Sequence, residues 1–225
     1  MLKSIKTGVL AAVLVSTAIF AHAQKKITEG TVVYGIAYSL TPEQEPMAAM
    51  FPAESKIKFN GNMSRMEMQQ GAATITVLAN IVDLNSLVLI DVPIAQMQFA
   101  VKGTKADYDK EKANDPKFSD FVATGEKKTI LNYNAEKYTY KDDKGGTYEL
   151  WATTDVELPA GLIGREFKDV KGTPVVFTSF NKGIKSTATI KSLVAEKAGP
   201  FTLDVPKGYE VKTMEEIMAM QGGGQ

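Results

Sequence analysis

The 225-residue chain carries 26 basic and 26 acidic side chains, no cysteine and one histidine, with 44% of its residues hydrophobic. Balanced charge without a basic arm or stripe lacks the footprint of a nucleic-acid binder, and Arg65 and Arg165, the only arginines, supply little bidentate phosphate recognition. With no disulfide available, an apolar core must hold the fold by itself, and a chain of this length is able to bury one as a single domain.

The first 23 residues read as a secretory signal. Lys3 and Lys6 precede the apolar run 9–20, and Ala21-His22-Ala23 is the small-x-small pattern that signal peptidase cuts after. A twelve-residue run is too short to span a bilayer, which takes roughly 20. The expectation is a soluble exported protein that starts at Gln24, bears a net charge of −2, has no lipid-bearing cysteine and has lost its histidine.

From Thr31 the pattern is that of strands. Val32, Tyr34, Ile36 and Tyr38 alternate on one face. Prolines 42, 46 and 52 then bound a segment, 41–53, with room for one or two helical turns. A strand over 56–59 stops at Asn60-Gly61, a hairpin signal, and 63–69 is its partner, with Ser64, Met66 and Met68 on one side and Met63, Arg65 and Glu67 on the other. Residues 72–83 and 87–92 make a second pair. Leu87-Val88-Leu89-Ile90 is apolar on both faces, which predicts a doubly covered strand. A run over 94–101 turns Met97, Phe99 and Val101 inward.

The stretch 105–115 is charged and predicts a solvated helix or loop ending at Pro116. Strands resume over 128–133 and 135–141, turn at Asp142-Asp143-Lys144-Gly145-Gly146, and continue over 147–153. Pro159, Gly161 and Gly164 mark an irregular excursion before a last hairpin over 174–181 and 185–197. Thr213-Met214-Glu215-Glu216 is a capping box that opens a short terminal helix presenting Met214, Ile217 and Met218, and the glycines 222–224 predict a disordered tail. Roughly ten hairpin-linked strands without a βαβ rhythm make a mainly β domain over 24–212. It should be a large, curved antiparallel sheet with a few short helices against one face.

Once His22 is gone, a nucleophile–base pair would need Ser with Lys, or two carboxylates. Ser55-Lys56 and Lys191-Ser192 are sequence neighbours that a strand points to opposite faces. Asp155 and Glu157 share a face and would suit a sugar-cleaving site, although a solvated loop edge explains them as well. The zinc sets need His or Cys, and in 141–146 lysines flank the two carboxylates and oppose a cation, so neither an enzyme nor a metal cofactor is expected. Five of the nine methionines after the signal fall within 47–68: Met47, Met50, Met63, Met66 and Met68. Met66 and Met68 on one strand face could hold Cu(I), yet methionine also fills cores and lines adaptable apolar surfaces. Trp151 with Tyr138, Tyr140 and Tyr148 predicts an aromatic cluster, either a sugar-stacking platform or a cross-strand ladder.

Four stretches carry a resemblance: Glu29-Gly30-Thr31-Val32-Val33-Tyr34; Thr124 to Tyr133 with Glu136-Lys137-Tyr138; Leu150-Trp151-Ala152-Thr153; and Phe201 to Tyr209, with Asp204-Val205-Pro206-Lys207-Gly208 at its centre. Together they resemble a family of exported bacterial proteins common in Bacteroidota, domain-of-unknown-function family 4412. That family is similar in fold to the periplasmic lipoprotein carriers LolA and LolB, an incomplete barrel with helices at its mouth. The count of apolar, strand-alternating positions beside the lack of catalytic residue types, with the carriers as an analogy of fold, points to a non-enzymatic protein of the periplasm or exterior that holds a lipid, a lipoprotein acyl chain or a hydrophobic peptide in the concave face of its sheet. Candidate contacts are Met47, Met50, Phe51, Met66, Met68, Met97, Phe99 and Trp151, with 41–53 as a lid. A structural or interaction module with a filled core is the alternative.

Overall fold

In the computed structural model, which describes residues 24–222, period-2 patterning is realised as a long meander that leaves its starting strand in both directions. The short β1 (Lys25–Lys26) precedes β2 (Glu29–Ser39), β3 (Glu54–Asn60), β4 (Met63–Gln70), β5 (Ala73–Asn80), β6 (Ser86–Val92) and β7 (Met97–Gly103). The helix α1 (Lys105–Lys112) follows, then β8 (Phe118–Ile130), β9 (Tyr133–Asp142), β10 (Thr147–Thr153), β11 (Val156–Glu157), β12 (Thr173–Asn181) and β13 (Ile184–Val194). The chain closes with β14 (Glu210–Val211) and the helix α2 (Met214–Gly222). The expected signal, 1–23, and the tail, 223–225, lie outside the described residues.

Twelve strands form one sheet in the order β14-β7-β6-β5-β4-β3-β2-β13-β12-β10-β9-β8, and β1 pairs with β11 separately. Strand β2 is the hub: β3 to β7 step away on one side, and β13, β12, β10, β9 and β8 on the other. Consecutive β7 and β8 therefore end at or next to opposite edges, and the sheet is not closed into a barrel. The chain is mainly β, as expected, with α1 linking the two edges. No helix among the described residues is long and apolar enough to cross a membrane.

Each sheet face follows from register, because residues paired directly across neighbouring strands share it. One face carries Val32 and Tyr34 of β2, Ile57 of β3, Ile190 of β13, Phe177 of β12 and Leu150 of β10. On the β8–β13 side it is filled. Tyr34, Tyr140 and Leu150 are at most 2% exposed, Tyr34 meets Phe177 edge-on at 5.4 Å, and the Tyr34 hydroxyl donates to the Pro174 carbonyl at 2.8 Å. The excursion 154–172 adds Val156, Leu158, Leu162, Phe167 and Val170 to the same core. Its Arg165 guanidinium donates to the Ile81 and Val82 carbonyls at 3.0 and 2.6 Å, which ties the excursion to the β5–β6 turn.

The other side of the meander has two thin covers. On the face opposite Tyr34, the extended stretch 201–209 lays Phe201, Leu203, Val205 and Tyr209 over Leu78, Leu87, Leu89 and Ala100. On the Tyr34 face, α2 sets Ile217 against Val88, Ile90, Phe99 and Val101. Strand β6 is thus covered on both faces, as its continuous apolar run predicts. The helical cover, α2, lies on the Tyr34 face, and an irregular strap that the sequence does not predict occupies the second one. Glu29 secures that strap: one carboxylate oxygen accepts from Asn60 Nδ2 at 2.9 Å, Ala198 N at 2.8 Å and Gly199 N at 3.2 Å. Beside it, a Cβ on Gly30 would collide with the Val194 carbonyl, so only glycine lets β2 and β13 approach here.

Three elements differ from expectation. Strand β7 starts at Met97 rather than 94, because Pro93–Ala95 forms a 3₁₀ turn closed by left-handed Gln96. Strand β8 begins ten residues early, at Phe118. Its register shifts near Asp120 and Gly125, both at positive φ, interrupt the alternation on which the prediction relied. In α2 the capping box is present, with Glu216 N donating to Thr213 Oγ1 at 3.1 Å and Thr213 N to Glu216 Oε2 at 2.7 Å. Met214, expected on the buried side, is 40% exposed, and Met218 has no described side chain.

Candidate functional site

Register places two apolar rows on the Tyr34 face of β2 to β7. The first runs Val32, Ile57, Met66, Val77, Val88, Val101, each directly opposite the next. The second runs Met68, Ile75, Ile90, Phe99. Seven of these ten side chains are β-branched and suit a pleated surface, while the methionines add adjustable thioethers. Val32, Phe99 and Val101 are buried, whereas the other seven, including Met68 at the open end of the second row, remain half-buried. Among the described residues, Met66, Met68, Ile75 and Val77 join none of the three buried clusters. The Ser55 hydroxyl contacts the Met66 sulfur at 3.3 Å, and this is the polar partner that the described residues offer the stripe.

The structure brings together some of the sequence-derived candidates. Met66, Met68 and Phe99 share the rows. Phe51 is near the same face, packing at 5.0 Å on Tyr38, whose alternation with Tyr34 puts it there. The Tyr38 hydroxyl donates to the Pro52 carbonyl at 3.2 Å, and Ile36 N to the Ala53 carbonyl at 2.8 Å, so the end of the 41–53 segment is anchored on β2. Met47 and Met50 lie in its 3₁₀ turn, Glu45–Met50, and their side chains are outside the described set. Met97 is 39% exposed, paired with Val92 one step beyond the second row.

Trp151 is not with them. It pairs with Lys137 and Val176, while its neighbour Leu150 faces Tyr138, so the indole lies on the opposite face, buried beneath Lys128 Nζ at 3.9 Å from the ring. The predicted aromatic cluster therefore loses Trp151. Tyr140 and Tyr148 do pair, at 5.5 Å, and Phe118, Phe121 and Phe167 complete the group. Seven members of the rows, Val32, Ile57, Ile75, Val77, Val88, Ile90 and Val101, are missing from the sequence-derived candidates. Their alternation is visible in the chain, but their alignment appears only once two hairpin registers are fixed.

The carboxylates have local duties. Asp142 Oδ1 accepts from Lys144 N at 2.9 Å and Gly146 N at 2.6 Å, and Oδ2 from the Tyr148 hydroxyl at 2.7 Å, which closes the β9–β10 turn. The Tyr148 hydrogen bond and then the turn amides hold this carboxyl below the usual aspartate range. Of the pair two residues apart, Glu157 faces Lys26 at 3.5 Å, whereas Asp155 Oδ2 accepts from Asn134 N at 2.7 Å and Asn134 Nδ2 at 3.3 Å. Asp155 also lines an open cleft of ≈ 460 Å³ between β1, the β8–β9 turn and the end of β13, whose Leu193 pairs with Val32 at the buried end of the first row.

Comparison with known proteins adds no relative to this geometry: no family model matches the chain, and no curated protein matches it.

Proposed function

We propose that this is a non-enzymatic binding protein of the cell envelope, processed after Ala23, that takes a lipid or other acyl-chain ligand along the two apolar rows. The observation that carries the reading is the half-buried state of Met66, Met68, Ile75 and Val77, which join no buried cluster although Val32, Phe99 and Val101 elsewhere in the same rows are covered. A sheet that leaves such a stripe unfilled retains apolar area for a ligand, worth about 25 cal/mol per Å² removed from water. The anchored 41–53 segment stands beside the stripe where a lid would be useful. An open meander with consecutive strands at or beside its edges is also the arrangement expected of an incomplete, carrier-like barrel. The thioethers serve as adaptable contact surface in this reading, because the direct cross-strand neighbours of Met66 and Met68 are aliphatic and not metal ligands.

The test is displacement of the fluorescent fatty acid cis-parinaric acid, with native mass spectrometry of protein purified from cell envelopes. Val77→Asp should weaken fatty-acid binding at least tenfold, since a buried charge against an acyl chain costs more than the ~1.4 kcal/mol that a decade requires. Met66→Gln should weaken it less, and Val122→Asp, on the exposed β8 edge, should leave it unchanged. Absence of fatty-acid binding by the unaltered protein, or equal binding by Val77→Asp, would sink the proposal.

A further inference from the structure

The ≈ 460 Å³ cleft beside Asp155 lies within the size range of small-molecule sites and is built to a different chemistry from the apolar rows. Ile27 and Leu193 supply an apolar floor, while Tyr133, Asn132, Asp155 and Lys25 add polar groups. Its frame is held from several directions. The Thr153 hydroxyl, fully buried, donates to the Asn134 carbonyl at 2.8 Å and accepts from Asp155 N at 3.1 Å. Asn134 N in turn fixes Asp155 Oδ2 at 2.7 Å, and Lys25 N donates to the Asp155 carbonyl at 3.0 Å. Leu131, a bulky residue at φ 59° and 54% exposed, gives up both an easy backbone and its burial to form the turn that presents Asn132.

Within this rigid frame, Asp155 Oδ1, the Asn132 amide, the Tyr133 hydroxyl and Lys25 Nζ have no hydrogen-bond partner among the described residues. They amount to an acceptor, a mixed donor–acceptor group, a hydroxyl and a cationic donor around one opening. Burial, and then the Asp155 charge, push the Tyr133 phenol above its ordinary range, so it stays protonated and able to donate. A net anion would meet Asp155 and a net cation Lys25, which favours a neutral ligand whose groups both donate and accept.

We propose that the cleft is a binding site for a neutral sugar ring, whose hydroxyls engage Asp155, Asn132 and Tyr133 while its C–H face rests on Ile27 and Leu193. The site binds and does not cleave: glycoside hydrolysis uses two carboxylates flanking one bond, and Glu157, the nearest carboxylate in sequence, faces Lys26 instead. The proposal is independent of acyl-chain binding.

Saturation-transfer difference NMR of the unaltered protein with glucose, galactose, N-acetylglucosamine and maltose tests it. At least one sugar should receive saturation, and Asn132→Ala and Asp155→Asn should each weaken its binding about tenfold, the loss of one well-placed hydrogen bond. Asn132 is exposed and makes no described hydrogen bond through its side chain, so its removal spares the fold. Val77→Asp should leave sugar binding intact even where fatty-acid binding is lost. No saturation with any of the four sugars, or binding indifferent to both cleft variants, overturns the proposal.

Discussion

The two wings of the sheet share a hub strand and a similar apolar content, but they use it differently. On the β8–β13 wing, large side chains interlock across the sheet and the excursion 154–172, and Leu150, Val175 and Tyr140 are at most 1% exposed. On the β3–β7 wing, side chains of equal hydrophobicity stand in register yet stay half-buried between a nine-residue helix and an irregular strap. Hydrophobic composition alone does not separate a filled core from an apolar surface that is free to bind. What separates them is whether a further layer of the same chain lies on top.

The sharpest way to break this comparison is a pair of truncations. Tyr34→Ala removes an aromatic from the filled wing, with its edge-on contact to Phe177, and orphans the Pro174 carbonyl. Chemical denaturation should show a loss of about 3–5 kcal/mol. Val77→Ala removes two half-exposed methyl-sized groups from the open wing and should cost about 1 kcal/mol. Comparable losses would mean that the open wing is packed as tightly as the other, and the case for a free apolar stripe would fail.

How far the sequence reveals this contrast depends on the distance over which a pattern acts. Strand β2, the β3–β4 hairpin at Asn60-Gly61 and the Thr213 capping box are written in neighbouring residues, and the structure reproduces them. The opposition of Leu150 and Trp151 is legible too, since adjacent strand residues point apart, and that rule separates Trp151 from the tyrosines. The early start of β8 was hidden by two irregularities that break its period. The rows were half visible: Met66 with Met68 is a local pattern, but their alignment with Val77 and Val88 is set by turn lengths. Coverage by 201–209 and α2 depends on contacts more than 100 residues away in sequence, which no periodicity encodes.

Acid should act on both wings through different carboxylates, and this sharpens the comparison. The backbone amides of Ala198 and Gly199 hold the Glu29 carboxyl below its ordinary value of 4.5, with Lys197 and Asn60 adding smaller contributions. A lowered folded pKa gives stability that is present above the unfolded value and lost as pH falls through the folded one. As pH falls below 4.5 and through the lowered folded value, the strap over Leu87 and Ala100 should therefore loosen, and hydrogen-exchange mass spectrometry should show protection in β6 and β7 falling first. Glu29→Gln should bring the same loss to neutral pH. Asp142→Asn should disturb only the β9–β10 turn, at the far side of the sheet. If protection fell uniformly in both wings of Glu29→Gln, the strap would not be a separate cover.

At the alkaline end the sign reverses, and Tyr140 and Tyr148 of the filled wing should report alongside Tyr209 of the strap, whose phenol burial also raises. Burial pushes the Tyr140 phenol up to about 12, and burial followed by the Asp142 hydrogen bond and charge does the same for Tyr148, also to about 12. A raised folded pKa means that the neutral phenol is the form the fold favours. The stabilisation is complete below the unfolded value near 10 and disappears as pH climbs towards 12. Phenolate absorbance should thus show a late group of tyrosines in the unaltered protein. Asp142→Asn should let Tyr148 ionise earlier, by removing the charge that opposes its phenolate. Tyr140 should stay late, because its shift comes chiefly from the packed aromatics around it. Movement of both tyrosines together would mean that the turn and the core ionise as one unit, and that this wing is less rigidly packed than its burial implies.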